Sequence, residues 1–289
     1  MKKFFIITRN HRDETLEALV SDIKKAIVTA GGECSDASLP SMGEDGSGVF
    51  ANGERLPEDL DAILAVGGDG TVIRSAGYAV PERVPVLGVH FGHLGYLCDF
   101  NEETIFEAIP RLLDEDYETE ERMMLSGKLI AADGSAVTGR IRALNDIVIT
   151  ARNGLSVVRI VVSVGGERLY AFNGDGMIFA TPTGSTAYNM AANGPIVDPK
   201  TRLILMTPLN PHTLSTRSIV LDPSDDIELI LEQRAPGVKE EAIVSFDGTQ
   251  SFMLHPGDKL SVRASTKTTL LLRLTRMNFL ERIREKMKN

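Results

Sequence analysis

The sequence predicts an N-terminal α/β domain built on a parallel sheet, followed by a mostly-β C-terminal domain. Three observations carry this. Apolar runs alternate with amphipathic helices up to about residue 121. From residue 122 the apolar runs become short and strand-like, with turn dipeptides between them. The 289 residues also match two domains of roughly 100–200 residues each. The expected boundaries are 1–121 for the first domain and 122–268 for the second, with 269–289 a strand and helix returning to the first.

Residues 3–8 read as a buried strand, because their apolar part is too short for a signal-peptide core. Residues 13–30 read as a helix, with Asp13 as N-cap and Leu16, Val20, Ile23 and Ile27 on one face. Gly31-Gly32 ends it. Residues 40–60 hold Asp45-Gly46 and Asn52-Gly53 and read as a mobile surface loop. Ala62 to Val66 and Val84 to Val89 are continuous apolar runs, the pattern of parallel strands buried on both faces. Residues 102–114 read as a helix.

Beyond residue 122, turns are expected at Asp133-Gly134, Asn153-Gly154, Gly165-Gly166, Asp247-Gly248 and Pro256-Gly257. Residues 185–192 are the good helix candidate in this region. The tail, 278–288, reads as a helix with Phe279, Leu280, Ile283 and Met287 in one stripe. Glu120-Glu121 and Lys239-Glu240-Glu241 read as solvated charge.

Composition removes several function classes. Hydrophobic residues at 43% and charged residues at 25% exclude a disordered chain. A net charge of −9, from 31 Lys+Arg against 40 Asp+Glu, argues against nucleic acid or an anionic membrane as the main partner. No run approaches 18 consecutive apolar residues, so no membrane span is expected. Only Cys34 and Cys98 are present, which excludes a disulfide scaffold and a four-cysteine zinc site. The expected compartment is the cytoplasm.

Two clusters carry chemistry. Gly67-Gly68-Asp69-Gly70-Thr71 follows a buried strand and precedes a helix expected to begin near Thr71. Glycines there let backbone approach a phosphate, and the helix N-terminus offers N–H donors. A carboxylate inside such a turn repels phosphate, so Asp69 needs a reason to be there. It accepts a hydroxyl proton or holds a metal, or else the turn is structural and Asp69 caps the helix. Neither GxGxxG nor GxxxxGK[ST] is present. In the second cluster, Gly174-Asp175-Gly176 is followed by a strand candidate and then by Thr181-Pro182-Thr183-Gly184-Ser185-Thr186-Ala187-Tyr188. Hydroxyls, small residues and one aromatic suit a sugar or nucleobase. The plain alternative is a polar turn with Ser185 as N-cap. Asn145-Asp146 opens a strand, and Asp247 stands in a hairpin turn. His90 and His93 sit at a strand end, where residues three apart share no face, so a metal site there is not expected.

Together these motifs resemble the NAD kinase family, in order and spacing across most of the chain. The carriers are Gly67 to Thr71 with Arg74, Gly92-His93-Leu94-Gly95-Tyr96, Asn145-Asp146, Asp175-Gly176 through Pro182 to Tyr188, and Pro211 to Arg217. The resemblance implies a Rossmann-like first domain and a β-rich, NAD-binding second domain. It implies phosphoryl transfer from ATP or polyphosphate to the adenosine 2′-hydroxyl of NAD, giving NADP. It also implies a divalent cation, most simply Mg²⁺, carried by the donor, and homodimers or homotetramers. Asp69 would be the general base, and Gly67, Gly68 and Gly70 would cradle phosphates beside Thr71 and Arg74. Tyr96, Asn145, Asp146, Asn173 and Asp175 would contact or position NAD. Thr186, Ala187 and Tyr188 would line the adenine pocket, Thr183, Asn189, Met190 and Ala191 would also contact the nucleotide, and Asp247 would lie near the ribose and phosphates.

The sequence departs from the family pattern in four places. Asp146 replaces a common Glu, Tyr96 a common Phe and Asn173 a frequent basic residue, while Thr249 sits between Gly248 and Gln250. Two other readings share some of these features. A lipid kinase of the diacylglycerol or sphingosine type shares GGDGT but not the long run ending in Tyr188. A non-catalytic NAD sensor would not need Asp69.

Overall fold

A computed structural model describes residues 1–9, 13–41, 49–92, 95–153, 157–213, 216–234, 240–275 and 279–286. The chain divides into two compact units, Met1–Arg122 with Thr269–Asn289, and Met123–Thr268. Among the described residues no helix is long and apolar enough to cross a membrane. The Asp45-Gly46 and Asn153-Gly154 turns, His93-Leu94, Leu214-Ser215, Lys239 and Met287 fall wholly or partly outside the described residues.

The first unit runs β1 (Lys3–Thr8), α1 (Glu14–Thr29), β2 (Glu33–Ser38), β3 (Ala62–Gly67), α2 (Asp69–Glu82), β4 (Val86–His90), β5 (Cys98–Asn101), α3 (Ile105–Leu113) and β6 (Glu118–Arg122). β1, β3 and β4 form the parallel centre, with β2 on β1 and β5 on β4. Burial on both faces explains the unbroken apolar run of β3. Asp13 caps α1, accepting the Leu16 N–H at 2.9 Å. Leu16, Val20, Ile23 and Ile27 pack with α3 on the sheet face that carries Phe4, Ile6, Leu64 and Val66. α2 lies on the other face, where a Cβ on Gly88 would come within 3.0 Å of Val72 Cγ2.

The loop expected at 40–60 is anchored rather than mobile where it is described. Phe50 is buried, and its ring lies 5.2 Å from Phe5 and 4.6 Å, stacked, from Tyr78. Its large apolar area outweighs the turn-forming residues around it.

The second unit contains β7 (Leu125–Ile130), β8 (Ile141–Ala143), β9 (Asp146–Ala151), β10 (Val158–Val164), β11 (Glu167–Gly174), β12 (Gly176–Ala180), α4 (Tyr188–Ala191), β13 (Ile204–Leu209), β14 (Ile219–Leu221), β15 (Ile227–Glu232), β16 (Ala242–Phe246), β17 (Gln250–Leu254) and β18 (Lys259–Ala264). Its two six-stranded sheets run β11-β10-β15-β18-β7-β8 and β14-β13-β12-β9-β16-β17. Alternate residues of both sheets, such as Leu129, Ile160 and Leu229 from one and Ile147, Phe179 and Val244 from the other, meet in a single core. The outer face of β12 is covered too: Ile178 and Ala180 pack with Val148 and Leu205, beneath Ala192 and Val197. The helix expected over 185–192 is instead a 3₁₀ turn, Thr183–Thr186, followed by α4. Ala187 breaks it, with φ −97° and ψ −132°.

The chain then returns to the first unit as β19 (Thr269–Arg273) and α5 (Phe279–Lys286). β19 lies parallel to β4 and antiparallel to β6. The apolar stripe of the tail is covered only in part: Phe279 and Ile283 are half-buried and Leu280 is 68% exposed, whereas Arg282 is 8% exposed. The reading of Glu120 and Glu240 as solvated charge is corrected here. Glu120 is not solvated charge, since it accepts from Arg122 and Arg273, each at 2.8 Å. Glu240 is likewise buried, paired with Arg234. Buried charge of this kind needs a partner, and one of them, Arg273, lies on a strand that sequence spacing does not bring near Glu120.

Candidate active site

The GGDGT turn joins β3 to α2. A Cβ on Gly67 would overlap the Thr71 hydroxyl, so only glycine lets the chain fold back this closely. Gly68 is the N-cap and Asp69 the first helical residue, two positions earlier than expected. Asp69 does not cap its own helix. Its carboxylate reaches across to the next segment and accepts the Tyr96 N–H at 2.7 Å and the Leu97 N–H at 2.9 Å. A carboxylate offers about four acceptor sites, so two remain for a ligand. A Cβ on Gly68 or Gly70 would meet open space, which leaves their backbone accessible to an incoming group. Arg74 donates to the Pro40 carbonyl at 2.6 Å.

In the second unit, Asp247 organises Asn145 and Asp146. Asp247 and Gly248 have φ +51° and +68° in the hairpin between β16 and β17. That turn aims the Asp247 carboxylate at three successive amides: Leu144 at 2.6 Å, Asn145 at 2.8 Å and Asp146 at 3.0 Å. From the other side, Thr181 Oγ1 donates to Leu144 O at 2.6 Å, and Thr181 N–H donates to Asn145 O at 2.8 Å. A Cβ on Gly184 would strike Asn145 O, so glycine is required there as well. The Asn145 backbone is thus held twice, while its side-chain Oδ1 is buried with no partner among the described residues. An orphaned acceptor of this kind is what a ligand hydroxyl or amide would satisfy.

The remaining candidates divide into two groups. Asp175 accepts from Asn210 Nδ2 at 2.7 Å, and Asn173 Oδ1 is a second buried acceptor without a partner among the described residues. Tyr188 at 47% exposed and Met190 at 38% present apolar surface, with Ala191 beside them. Thr183 is buried, and Thr186 and Ala187 are half-buried. Asn189 points inward: its Nδ2 donates to Ser185 O and Pro195 O, and its Oδ1 accepts from Thr207. Its side chain holds the turn and does not face outward. Ser185 is not an N-cap; it donates to Pro182 O at 2.7 Å and accepts the Val197 N–H at 3.0 Å.

The family models fit this arrangement. The ATP-NAD kinase N-terminal domain matches residues 50–117, and the ATP-NAD kinase C-terminal domain matches 144–274. The NAD kinase of Agathobacter rectalis is 41% identical over 289 residues, covering 100% of this chain and 99% of that protein. The chain belongs to the NAD kinase family. Two solved structures share its fold. Yeast NADH kinase complexed with NADH has a TM-score of 0.86 at 23% identity, covering 99% of this chain and 88% of that one. The NAD kinase from Archaeoglobus fulgidus in complex with ATP has a TM-score of 0.75 at 22% identity, covering 99% and 97%.

Within this NAD kinase fold, the second unit carries a close carboxylate pair, Asp146 buried and Asp247 half-buried. Burial and the neighbouring Asp247 push Asp146 up from 3.8 to about 7, and burial pushes Asp247 up to about 6 despite its three amide donors. A carboxyl that binds its proton more tightly folded than unfolded favours the native state at low pH. That contribution is complete below 3.8 and is lost as pH rises through about 7. Asp146→Asn removes one ionisation from the pair. It should therefore hold its urea midpoint between pH 5 and pH 8 better than the parent does, by on the order of 2 kcal/mol. Parallel pH profiles for the two proteins would contradict this.

Several contributors carry weaker signals in the sequence. Gly95 lies inside a recognised segment, but its reason is three-dimensional: a Cβ there would overlap the Asp69 carboxylate. Thr181 belongs to the long run ending in Tyr188. Asn210, which holds Asp175, has no sequence signature at all.

Proposed function

We propose that this chain transfers the terminal phosphoryl group of ATP, or of polyphosphate, to the adenosine 2′-hydroxyl of NAD, giving NADP. The observation that carries the reading is the Asp69 carboxylate. It is pinned by two amides at the start of α2, with acceptor capacity left over and open space over the flanking glycines. Asp69 takes the 2′-hydroxyl proton as the new O–P bond forms and the bond to the donor's leaving oxygen breaks. Phosphoryl transfer needs positioning and charge stabilisation more than covalent chemistry, which fits a site with one base and a glycine turn. Asn145 offers its unpartnered Oδ1 to the dinucleotide, and Asp175 orients it. Thr183, Thr186, Ala187 and Tyr188 form the adenine side, with Met190 and Ala191 flanking.

A divalent cation, most simply Mg²⁺, arrives on the donor's phosphates and neutralises their charge. Among the described residues no group of three or more His, Cys, Asp or Glu side chains could hold a metal. We assign the first unit to the phosphate-transfer turn and the second to NAD, in a cytoplasmic homodimer or homotetramer.

The test is incubation with NAD, Mg²⁺ and either ATP or polyphosphate, with NADP read by an NADP-specific dehydrogenase. NADP formation with at least one donor is expected. Saturable NAD binding without NADP from either donor would overturn the reading in favour of a sensor.

A further inference from the structure

The segment that pins Asp69 is itself held from behind by the C-terminal return of the chain. Tyr96 and Leu97 give their N–H groups to Asp69. On the carbonyl side of the same segment, Arg282 of α5 donates to Cys98 O at 2.7 Å and, more distantly, to Tyr96 O at 3.4 Å. Its second terminal nitrogen donates to Asp99 Oδ1 at 2.6 Å. Arg273 of β19 donates to the same Asp99 oxygen and reaches Leu97 O at 3.4 Å. The Asp99 side chain is 0% exposed and that of Arg282 9%. Burying two guanidinium groups around one carboxylate oxygen is a costly way to secure a helix, because each charge must leave water. The planar fork of Arg282 instead spans the carbonyl row and the carboxylate at once, a geometry an ammonium does not reproduce.

We propose that Arg282 is a positioning residue for Asp69, acting through residues 96–99 and resting on the reading of Asp69 as the base. Gly95 completes the device, because its missing Cβ lets the segment close onto the carboxylate. With Arg282 gone, Cys98 keeps its strand pairing with Gly88 and the segment keeps the more distant Arg273 contact to Leu97 O, but the arginine fork across Tyr96 O, Cys98 O and Asp99 is lost. The two amides then wander, and the carboxylate loses its aim while the NAD-contacting groups of the second unit keep their own supports. The consequence falls on the chemical step and not on substrate affinity.

The test compares Arg282→Ala and Arg282→Lys with the parent, by steady-state kinetics and by hydrogen exchange over residues 95–100. For Arg282→Ala, kcat should fall at least tenfold, with KM for NAD and ATP within about threefold. Exchange at Tyr96 and Leu97 should quicken at least tenfold. Arg282→Lys keeps the charge without the fork, folds in case the alanine variant does not, and should lie between the two. The proposal fails if Tyr96 and Leu97 stay as protected as in the parent. It also fails if kcat falls only in proportion to the folded fraction. Should the parent form no NADP, the phosphoryl-transfer reading falls, and the exchange measurement still decides whether Arg282 fastens the Asp69 segment.

Discussion

Replacing Asp69 with Asn is expected to lower turnover by roughly 10²–10⁴-fold, the range for loss of a general base. Asparagine matches the shape but accepts on one oxygen only. One of the amides of Tyr96 and Leu97, at 2.7 and 2.9 Å in the parent, then faces a nitrogen. That mismatch costs about 1–2 kcal/mol of stability, typical of a hydrogen bond to a charged acceptor, and leaves the protein folded. NAD affinity should hold within a few-fold, since Asn145 and its supports lie in the other unit. Coupled turnover and NAD calorimetry on the same preparation separate these effects. Turnover within tenfold of the parent would remove Asp69 as the base.

Asp247→Ala should produce the largest loss of stability. One half-buried carboxylate satisfies the amides of Leu144, Asn145 and Asp146. Deleting it strands three donors at about 1–3 kcal/mol each, although these costs do not add in full. The change also removes the charge that pushes Asp146 upward, which returns part of the loss. A net destabilisation of about 3 kcal/mol is expected, together with weaker NAD binding as Asn145 loses its register. Urea unfolding followed by circular dichroism measures the first effect and calorimetry the second. A change below about 0.5 kcal/mol would show that the amides find other acceptors.

The parts of the fold that were legible in the sequence are those with local causes. Asp13 sits three residues before Leu16, the first of an apolar stripe of helical spacing, and it caps α1. The run Ala62 to Val66 followed by glycines announces a buried strand and a phosphate-type turn. Elements with non-local causes were hidden. β2, with the sequence ECSDAS, is polar because it lies at the sheet edge against β1 alone, so its pattern does not read as a strand. Glu120 looks like surface charge until β19, some 150 residues later, lays Arg273 on the same face.

The same division runs through the site. Asp69 stands in a glycine turn that the sequence itself singles out, whereas Asn145 and Asp146 stand out only through the family resemblance. That Asp247 organises the backbone of residues 144–146 is invisible without the hairpin that aims it. Asn189 stands inside a motif of candidate ligand contacts, yet its side chain is consumed by Ser185, Pro195 and Thr207, because a sharp polar turn must satisfy its own buried groups.

The central claim is that Asp69 deprotonates one particular hydroxyl, and the position of the transferred phosphate tests it most directly. The product formed from NAD, ATP and Mg²⁺ would be purified and its phosphorus and ribose proton resonances assigned. The account predicts a single new phosphomonoester on the adenosine 2′-oxygen. Phosphate on a 3′-oxygen or on the nicotinamide ribose, or ATP hydrolysis with NAD unchanged, would contradict it.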